Sequence, residues 1–477
     1  MKKILSVFLF AFAVRLISIN QSLWLDEATT ALVSQRSVVN YFTQFAVGDF
    51  HPPLYYLLSM GISRLFGSSE IALRLVSIVS GVGTVFVVYK IAELFSDKGS
   101  YTPFIASIFL ATSGLHIYYS QEARMYTLAA LFATLSIYFY LKNSWKLFGV
   151  SILGMVLTHY VTIFMLPVFW IHGYLAQKDK KWWKRFVYSH ILLIVGFGVW
   201  SPVFVKQLTG GLGVESTTPL WWNILGKTTP KEILLVPAKF FFGRITIENN
   251  MVYGMAVGLV SLVYGFITIG RRPSKVRPFK ERSDLIIWLW LLLPTALTAL
   301  VGLWIPVFSY FRILFVLPAI YILLAQGVSH RGIRWQKLAL AFVLVVNLFS
   351  AGVYLFNPRF HREDWRELVN YVADRNVGSD QLVFVNDSQK EAYMYYFEKR
   401  FSTVASCVVE NPNCANPVRP RDPATFDRES DGALWLMRYV QPIFDPQDRL
   451  RMEIEDIGFE KVSEHDFNGI VVWRYER

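Results

Sequence analysis

Apolar runs recur along the first three quarters of the chain, at about residues 4–20, 72–94, 102–118, 127–142, 147–158, 161–176, 186–205, 251–270, 285–303, 312–328 and 337–356. Crossing the hydrocarbon layer takes roughly 17–25 residues of helix, so the pattern predicts an all-α polytopic membrane domain of about eleven transmembrane helices over residues 1–356. From about Asn357 the pattern changes. Charged and polar residues alternate with short runs such as "LVFV" and "IVVW", and "DWRELVNYVADR" and "QKEAYMYYFEKR" read as amphipathic helices. Residues 357–477 therefore predict a soluble α/β domain.

Two connections are long. Residues 20–71 include "PPLYYLLSMGISRLFG", opened by two prolines and too short to span, which predicts a helix lying along the membrane surface. Residues 206–250 mix Gly, Pro and Thr with one short helix, "PKEILLVPAKFFFG". No period of 20–50 residues recurs, so a repeat architecture is unsupported.

Composition agrees with the pattern: 54% of residues are hydrophobic and only 17% charged, too apolar for an ordinary water-soluble enzyme. The net charge of +12 would suit a nucleic-acid binder, but its placement points to topology. With the N-terminus inside, the segments "SDKGS", "KNSWK", "QKDKKWWKR", "RRPSKVRPFKERSD" and "SHRGIRWQK" face the cytoplasm. Together with Lys2 and Lys3 they hold 19 Lys or Arg against four acids, Asp97, Asp179, Glu281 and Asp284. That asymmetry is the positive-inside rule, and no nucleic-acid partner is expected. An odd number of spans puts the C-terminal domain outside. Its cysteines, Cys407 and Cys414, are either a disulfide or two free thiols.

On this topology the unusual polar residues collect on one side of the membrane. "LWLDEATT" carries Asp26 and Glu27, "FHPPLYY" carries His51, "YYSQEARMY" carries Glu122 and Arg124, "THY" carries His159, and "SYFRIL" carries Tyr310 and Arg312. Ionisable groups at the hydrocarbon boundary are costly unless they face water, a partner or a substrate. Carboxylates mixed with arginine and histidine suit a phosphate held beside a general base. Trp24, Trp221, Trp222 and Trp304 fall near the outer interface, where an aromatic belt is expected and stacking on a sugar ring is the alternative.

The order "LWLDEATT", "HPPLYYLL", "RLVSIVSG", "YYSQEARMYTLAALFA", "LTHY", "WSP" and "SYFRILFVLPAIYILLA" resembles the polyprenyl-phosphate-sugar-dependent glycosyltransferases of the GT-C fold. Within that fold the motifs resemble the bacterial branch related to protein O-mannosyltransferases and lipid A aminoarabinose transferases. The resemblance covers residues 1–356 and leaves the C-terminal domain out. It implies an inverting enzyme of a bacterial or archaeal plasma membrane. Such an enzyme moves a sugar, a hexose such as mannose, from a polyprenyl-phosphate donor to a glycan, lipid or protein acceptor outside. Asp26 matches the family's general base. Glu27 is then a supporting residue or else a solvated acid at a helix N-terminus. Arg124 and Arg312 are the candidates for the donor phosphate, the alternative being arginines that snorkel to the interface. Glu122 is expected to pair with Arg124 or reach the acceptor, and pairing is preferred. His51 departs from relatives that carry a glutamate and lysine near this point; it would donate to the phosphate or, with His159, ligate a metal. Two distant histidines are a poor zinc set, so no metal is expected to be required. A flippase for the same lipid-linked sugar is the rival reading; it would favour polar groups at the bilayer midplane.

Overall fold

The computed structural model describes residues 2–217, 225–269, 284–329, 332–375, 380–386, 389–402, 420–421 and 432–477. Cys407, Cys414, Trp221, Trp222 and most of the basic segment 271–284 lie outside the described residues. Among the described residues, five helices are long and apolar enough to cross a membrane: Glu70–Leu94, Lys180–Val214, Asn250–Ile269, Asp284–Val301 and Ile333–Phe356. Six shorter apolar helices, Ile4–Leu16, Thr102–Thr112, Tyr126–Leu141, Trp145–Thr158, Tyr160–Leu175 and Leu314–Ser329, occupy the other positions where spans are expected. Large apolar side chains such as Val199, Leu262, Phe266, Leu292 and Val345 stand exposed on the long helices, the surface of a protein whose solvent is lipid.

The short helices have local causes. The expected span at 102–118 breaks at Ser113, whose side chain accepts the backbone N–H of His116 and starts a second helix, Gly114–Ser120. Gly114 sits at that break against the Ile333–Phe356 helix: a Cβ there would lie 2.1 Å from Ser350 Oγ and 3.2 Å from Ala351 N. Only a glycine permits that approach. The expected spans at 161–176 and 312–328 each open with a 3-10 segment, Tyr160–Met165 and Leu314–Val316. Tighter turns of this kind are frequent where a helix begins. The predicted surface helix is Leu54–Phe66, thirteen residues, with Tyr55, Tyr56, Ser59 and Met60 buried and Leu58, Leu65 and Phe66 exposed.

The C-terminal domain is built on a five-stranded mixed sheet of β1 (Gln381–Phe384), β2 (Pro420–Arg421), β3 (Leu434–Met437), β4 (Glu460–Asp466) and β5 (Val471–Glu476), in the order β2-β1-β3-β5-β4. β1 runs parallel to β2 and β3, and β5 is antiparallel to β3 and β4. β1 and β3 are buried throughout, which explains why "QLVF" and "LWLM" read as unbroken runs. Alternate side chains enter two cores. Val383, Leu434, Leu436 and Tyr475 pack with Ile454 and Phe459. Leu382, Phe384, Trp435 and Met437 pack with Trp365, Leu368 and Tyr396, and also with Leu23, Ala28, Ala31, Leu73 and Ala123 of the membrane domain. The chain changes character near residue 357, but this core runs across that boundary. Polar contacts reinforce it: Glu70 binds Arg366 and Lys399, each at 2.8 Å, and Leu23 N–H donates to Tyr396 Oη at 2.7 Å. The helix that carries Asp26 and Glu27 is therefore clamped beneath the sheet.

Candidate active site

After α1 (Lys2–Leu16) the chain turns and enters α2 (Leu25–Ser34) through Trp24 in extended conformation, placing Asp26 and Glu27 in the first helical turn. Unpaired backbone N–H groups there favour acids. The two side chains then diverge. Glu27 is fully buried. Arg74 grips it with a fork, Nε to Oε1 at 2.9 Å and Nη2 to Oε2 at 2.7 Å, and the N–H of Ala123 donates to it at 2.6 Å. Arg362 Nε, from the C-terminal domain, lies 3.3 Å away. The remaining Arg74 donors go to the carbonyls of Ile19, Gln21 and Ser22, so every guanidinium N–H has a partner. Burial alone would raise the Glu27 carboxyl; Arg74 and Arg362 override it and hold it below the usual carboxylate range. The solvated-acid reading of Glu27 is thereby overturned, because the residue is the knot that ties α2, the 70–94 helix and the C-terminal domain together.

Asp26 faces the other way, its side chain 38% exposed and Oδ2 3.3 Å from Arg124 Nη2. Arg124 is buried and does not snorkel: its Nη1 also reaches the Asp26 carbonyl at 3.4 Å, and Nη2 lies 3.2 Å from His51 Nε2. A guanidinium only donates, so His51 Nε2 accepts and the imidazole proton sits on Nδ1, 3.3 Å from Asp49 Oδ1. His51 thus spends both nitrogens on orienting Arg124, rather than offering one to a phosphate or metal. Asp49 was not among the expected residues; a lone acid in "VGDFHPP" gives no signal until its neighbour is known.

His159 occupies the extended break between the Trp145–Thr158 helix and the following 3-10 turn. Its ring centroid is 6.4 Å from that of His51 and 5.9 Å from that of Tyr126, and Tyr126 meets Phe311 edge-on at 5.2 Å. This aromatic wall brings the loop of Arg312 to the loops of Asp26 and Arg124. Burial, with His51, Arg312 and Arg124 nearby, lowers the His159 pKa well below the usual value, so the ring is neutral. Among the described residues, no group of three His, Cys, Asp or Glu side chains is placed to hold a metal ion.

Arg312 donates to the Pro306 carbonyl and lies 5.7 Å from the centre of the Phe311 ring. Its neighbour Tyr310 accepts a 2.6 Å hydrogen bond from Arg244 Nη1. Arg244 was missed in the sequence, although it is a single cation directly after "KFFFG". It stacks 5.1 Å from the Tyr118 ring centre, and no carboxylate among the described residues lies within ion-pair distance of it. Glu122 does not pair with Arg124. Its Oε2 lies 3.5 Å from Arg362 Nη2, because Arg124 is already committed to Asp26 and His51. Burial, opposed by Arg362 and aided by Glu27, pushes the Glu122 carboxyl up to about 7.

One partly exposed carboxylate therefore stands against a buried guanidinium, a pairing that suits proton acceptance beside a bound anion. No curated protein matches the chain in a sequence comparison. In fold the chain is similar to ArnT from Cupriavidus metallidurans. The apo state gives a TM-score of 0.58 at 12% identity, covering 99% of this chain and 97% of that chain. The same protein bound to undecaprenyl phosphate gives 0.55 at the same identity and coverage. Residues 50–205, which carry His51, Glu122, Arg124 and His159, match the family described as dolichyl-phosphate-mannose-protein mannosyltransferase. The family match is confined to that stretch of the chain, and the likeness to ArnT, at 12% identity, is one of fold.

Proposed function

We propose that this enzyme transfers a sugar, a hexose such as mannose, from a polyprenyl-phosphate carrier to a hydroxyl of an envelope glycan, lipid or protein on the outer face of a bacterial or archaeal plasma membrane, with inversion. Eleven spans with the N-terminus in the cytoplasm put the C-terminal domain and the charged cluster on that face. Asp26 takes the proton of the acceptor hydroxyl while its oxygen attacks the anomeric carbon. The bond from that carbon to the phosphate oxygen breaks, and the electron pair leaves on polyprenyl phosphate. A single displacement inverts the centre and needs no second carboxylate as acid, since the leaving group is already a phosphate. Arg124, Arg312 and Arg244 meet the charge of the departing phosphate, and in this reading guanidinium groups rather than a divalent metal do that work.

The observation that carries the proposal is the contrast in the acidic pair: Asp26 is left partly exposed 3.3 Å from Arg124, while Glu27 is sealed. Transfer of radiolabelled sugar from a polyprenyl-phosphate donor in proteoliposomes tests it. Wild type should transfer and Asp26→Asn should not; an Asp26→Asn protein with undiminished transfer removes the proposed base.

A further inference from the structure

At the seam between the membrane helices and the C-terminal domain lies a cleft of about 160 Å³, lined by Tyr118, Arg244, Arg359, His361, Glu363 and Asn468 among others. Most of its charges are spoken for. Arg362 is turned to Glu27 and Glu122, and Arg359 Nη1 lies 2.7 Å from Glu248. Among the described residues, Arg244 bonds only the Tyr310 phenol and the Tyr118 face. Glu363 is the counterpart on the acidic side: Tyr439 Oη donates to its Oε1 at 3.0 Å, and no cation among the described residues lies within ion-pair distance. Burial raises its carboxyl above the usual range.

This geometry is built rather than incidental. Asn468, in the turn between β4 and β5 with φ +55°, donates Nδ2 to the carbonyls of both His361 and Arg362, at 2.9 and 2.8 Å. The pinned segment sends Arg362 to the Glu27 knot and Glu363 into the cleft. Arg362, the residue before Glu363, reaches Glu27, the residue after Asp26. A fixed carboxylate acceptor sharing the cleft with the Arg244 guanidinium complements the hydroxyls of a sugar ring.

We propose that Glu363, positioned by Tyr439, binds the hydroxyls of a carbohydrate ring in this cleft, so that the C-terminal domain completes the substrate site. The proposal rests on the glycosyl-transfer reading. The ring belongs to the donor's sugar or to a glycan acceptor, and both offer the same chemistry.

The test compares wild type, Glu363→Gln and Tyr439→Phe in nanodiscs, each checked for folding by size exclusion. Equilibrium binding is measured with a radiolabelled polyprenyl-phosphate hexose and with sugar-free polyprenyl phosphate, and KM is measured for the acceptor. If the donor's sugar fills the cleft, Glu363→Gln weakens the sugar-bearing donor about tenfold, the loss of one charge-assisted hydrogen bond, and leaves the sugar-free carrier within twofold. If the acceptor fills it, donor affinity holds and acceptor KM rises by a similar factor. Tyr439→Phe should reproduce either pattern more weakly. Equal weakening of both lipids, or no change in any constant, overturns the proposal while leaving the Asp26 reading standing. A wild-type protein that binds no lipid-phosphate sugar takes both down.

Discussion

The knot around Glu27 and the cluster around Asp26 begin one residue apart on the same helical turn and end in opposite surroundings. In the knot, two guanidiniums and a backbone N–H close over a carboxylate that no solvent reaches. In the cluster, a single guanidinium touches a carboxylate left 38% open. A buried, fully bonded ion pair adds little net stability over apolar packing, but removing one partner is costly. It therefore serves to define geometry. A partly open carboxylate beside one cation can still accept a proton and meet a substrate. The difference teaches that an adjacent acidic pair can divide two tasks, with one residue holding the loop that presents the other.

The largest effect should come from breaking the open side. Asp26→Asn should lower transfer by about 10²–10⁴-fold, the usual contribution of a positioned base, while thermal stability stays near wild type because the residue is not sealed in. Breaking the closed side should invert that outcome. Glu27→Ala leaves Arg74 without its carboxylate and Arg362 with Glu122 alone, and should destabilise the protein by about 3–5 kcal/mol, read as a lower thermal midpoint in detergent and earlier release of the C-terminal domain by protease. If Glu27→Ala melts like wild type while Asp26→Asn unfolds, the division of roles is reversed.

Glu122 sharpens the contrast because it belongs to the knot yet titrates. Its carboxyl sits at about 7 in the folded chain against an ordinary value of 4.5, raised first by burial. Between those two values the folded state holds a proton that the unfolded chain releases, so stability falls as pH rises through this window. Glu122→Gln removes the slope. The variant should match wild type near pH 4.5 and exceed it at pH 8 by up to about 3 kcal/mol, measured as thermal midpoints across that range. A wild-type curve no steeper than the variant's would mean that Glu122 is not buried in the neutral form.

Much of this was legible in the sequence because charge is rare there. Asp26, His51, Arg124, His159 and Arg312 stand out in an apolar chain, and the structure gathers them into one cluster. Run length located the apolar helices, but not the break at Ser113, which depends on the close approach of the Ile333–Phe356 helix at Gly114. Partner choice was illegible for a similar reason. Glu122 lies two residues from Arg124 and 240 from Arg362, yet Arg362 has the free donor. Arg362, Glu363 and Tyr439 lie in a polar stretch where charge is ordinary, and only the shared core with Leu23, Ala28 and Ala31 shows that this stretch reaches the site.

The smallest effect tests the loop that presents Arg312. Gly226 has φ +122°, a conformation that L side chains rarely adopt, and its carbonyl accepts the Phe308 N–H at 2.8 Å. A Cβ there would meet the Phe308 carbonyl at 2.7 Å, Ser309 Oγ at 2.8 Å and Arg312 Nη1 at 3.0 Å. The first contact is backbone and cannot swing away, so Gly226→Ala must shift the 306–312 loop and the guanidinium with it. Donor KM should rise about tenfold, or about 1.4 kcal/mol, with kcat little changed, since Asp26 and Arg124 lie on other loops. Gly61→Ala is the matched control. Nothing lies within 4 Å of a Cβ at that helical position, so the substitution should leave kinetics unchanged and, by helix propensity, slightly raise stability. If Gly226→Ala shifts donor KM no more than Gly61→Ala does, Arg312 does not hold the donor, and the phosphate rests on Arg124 and Arg244.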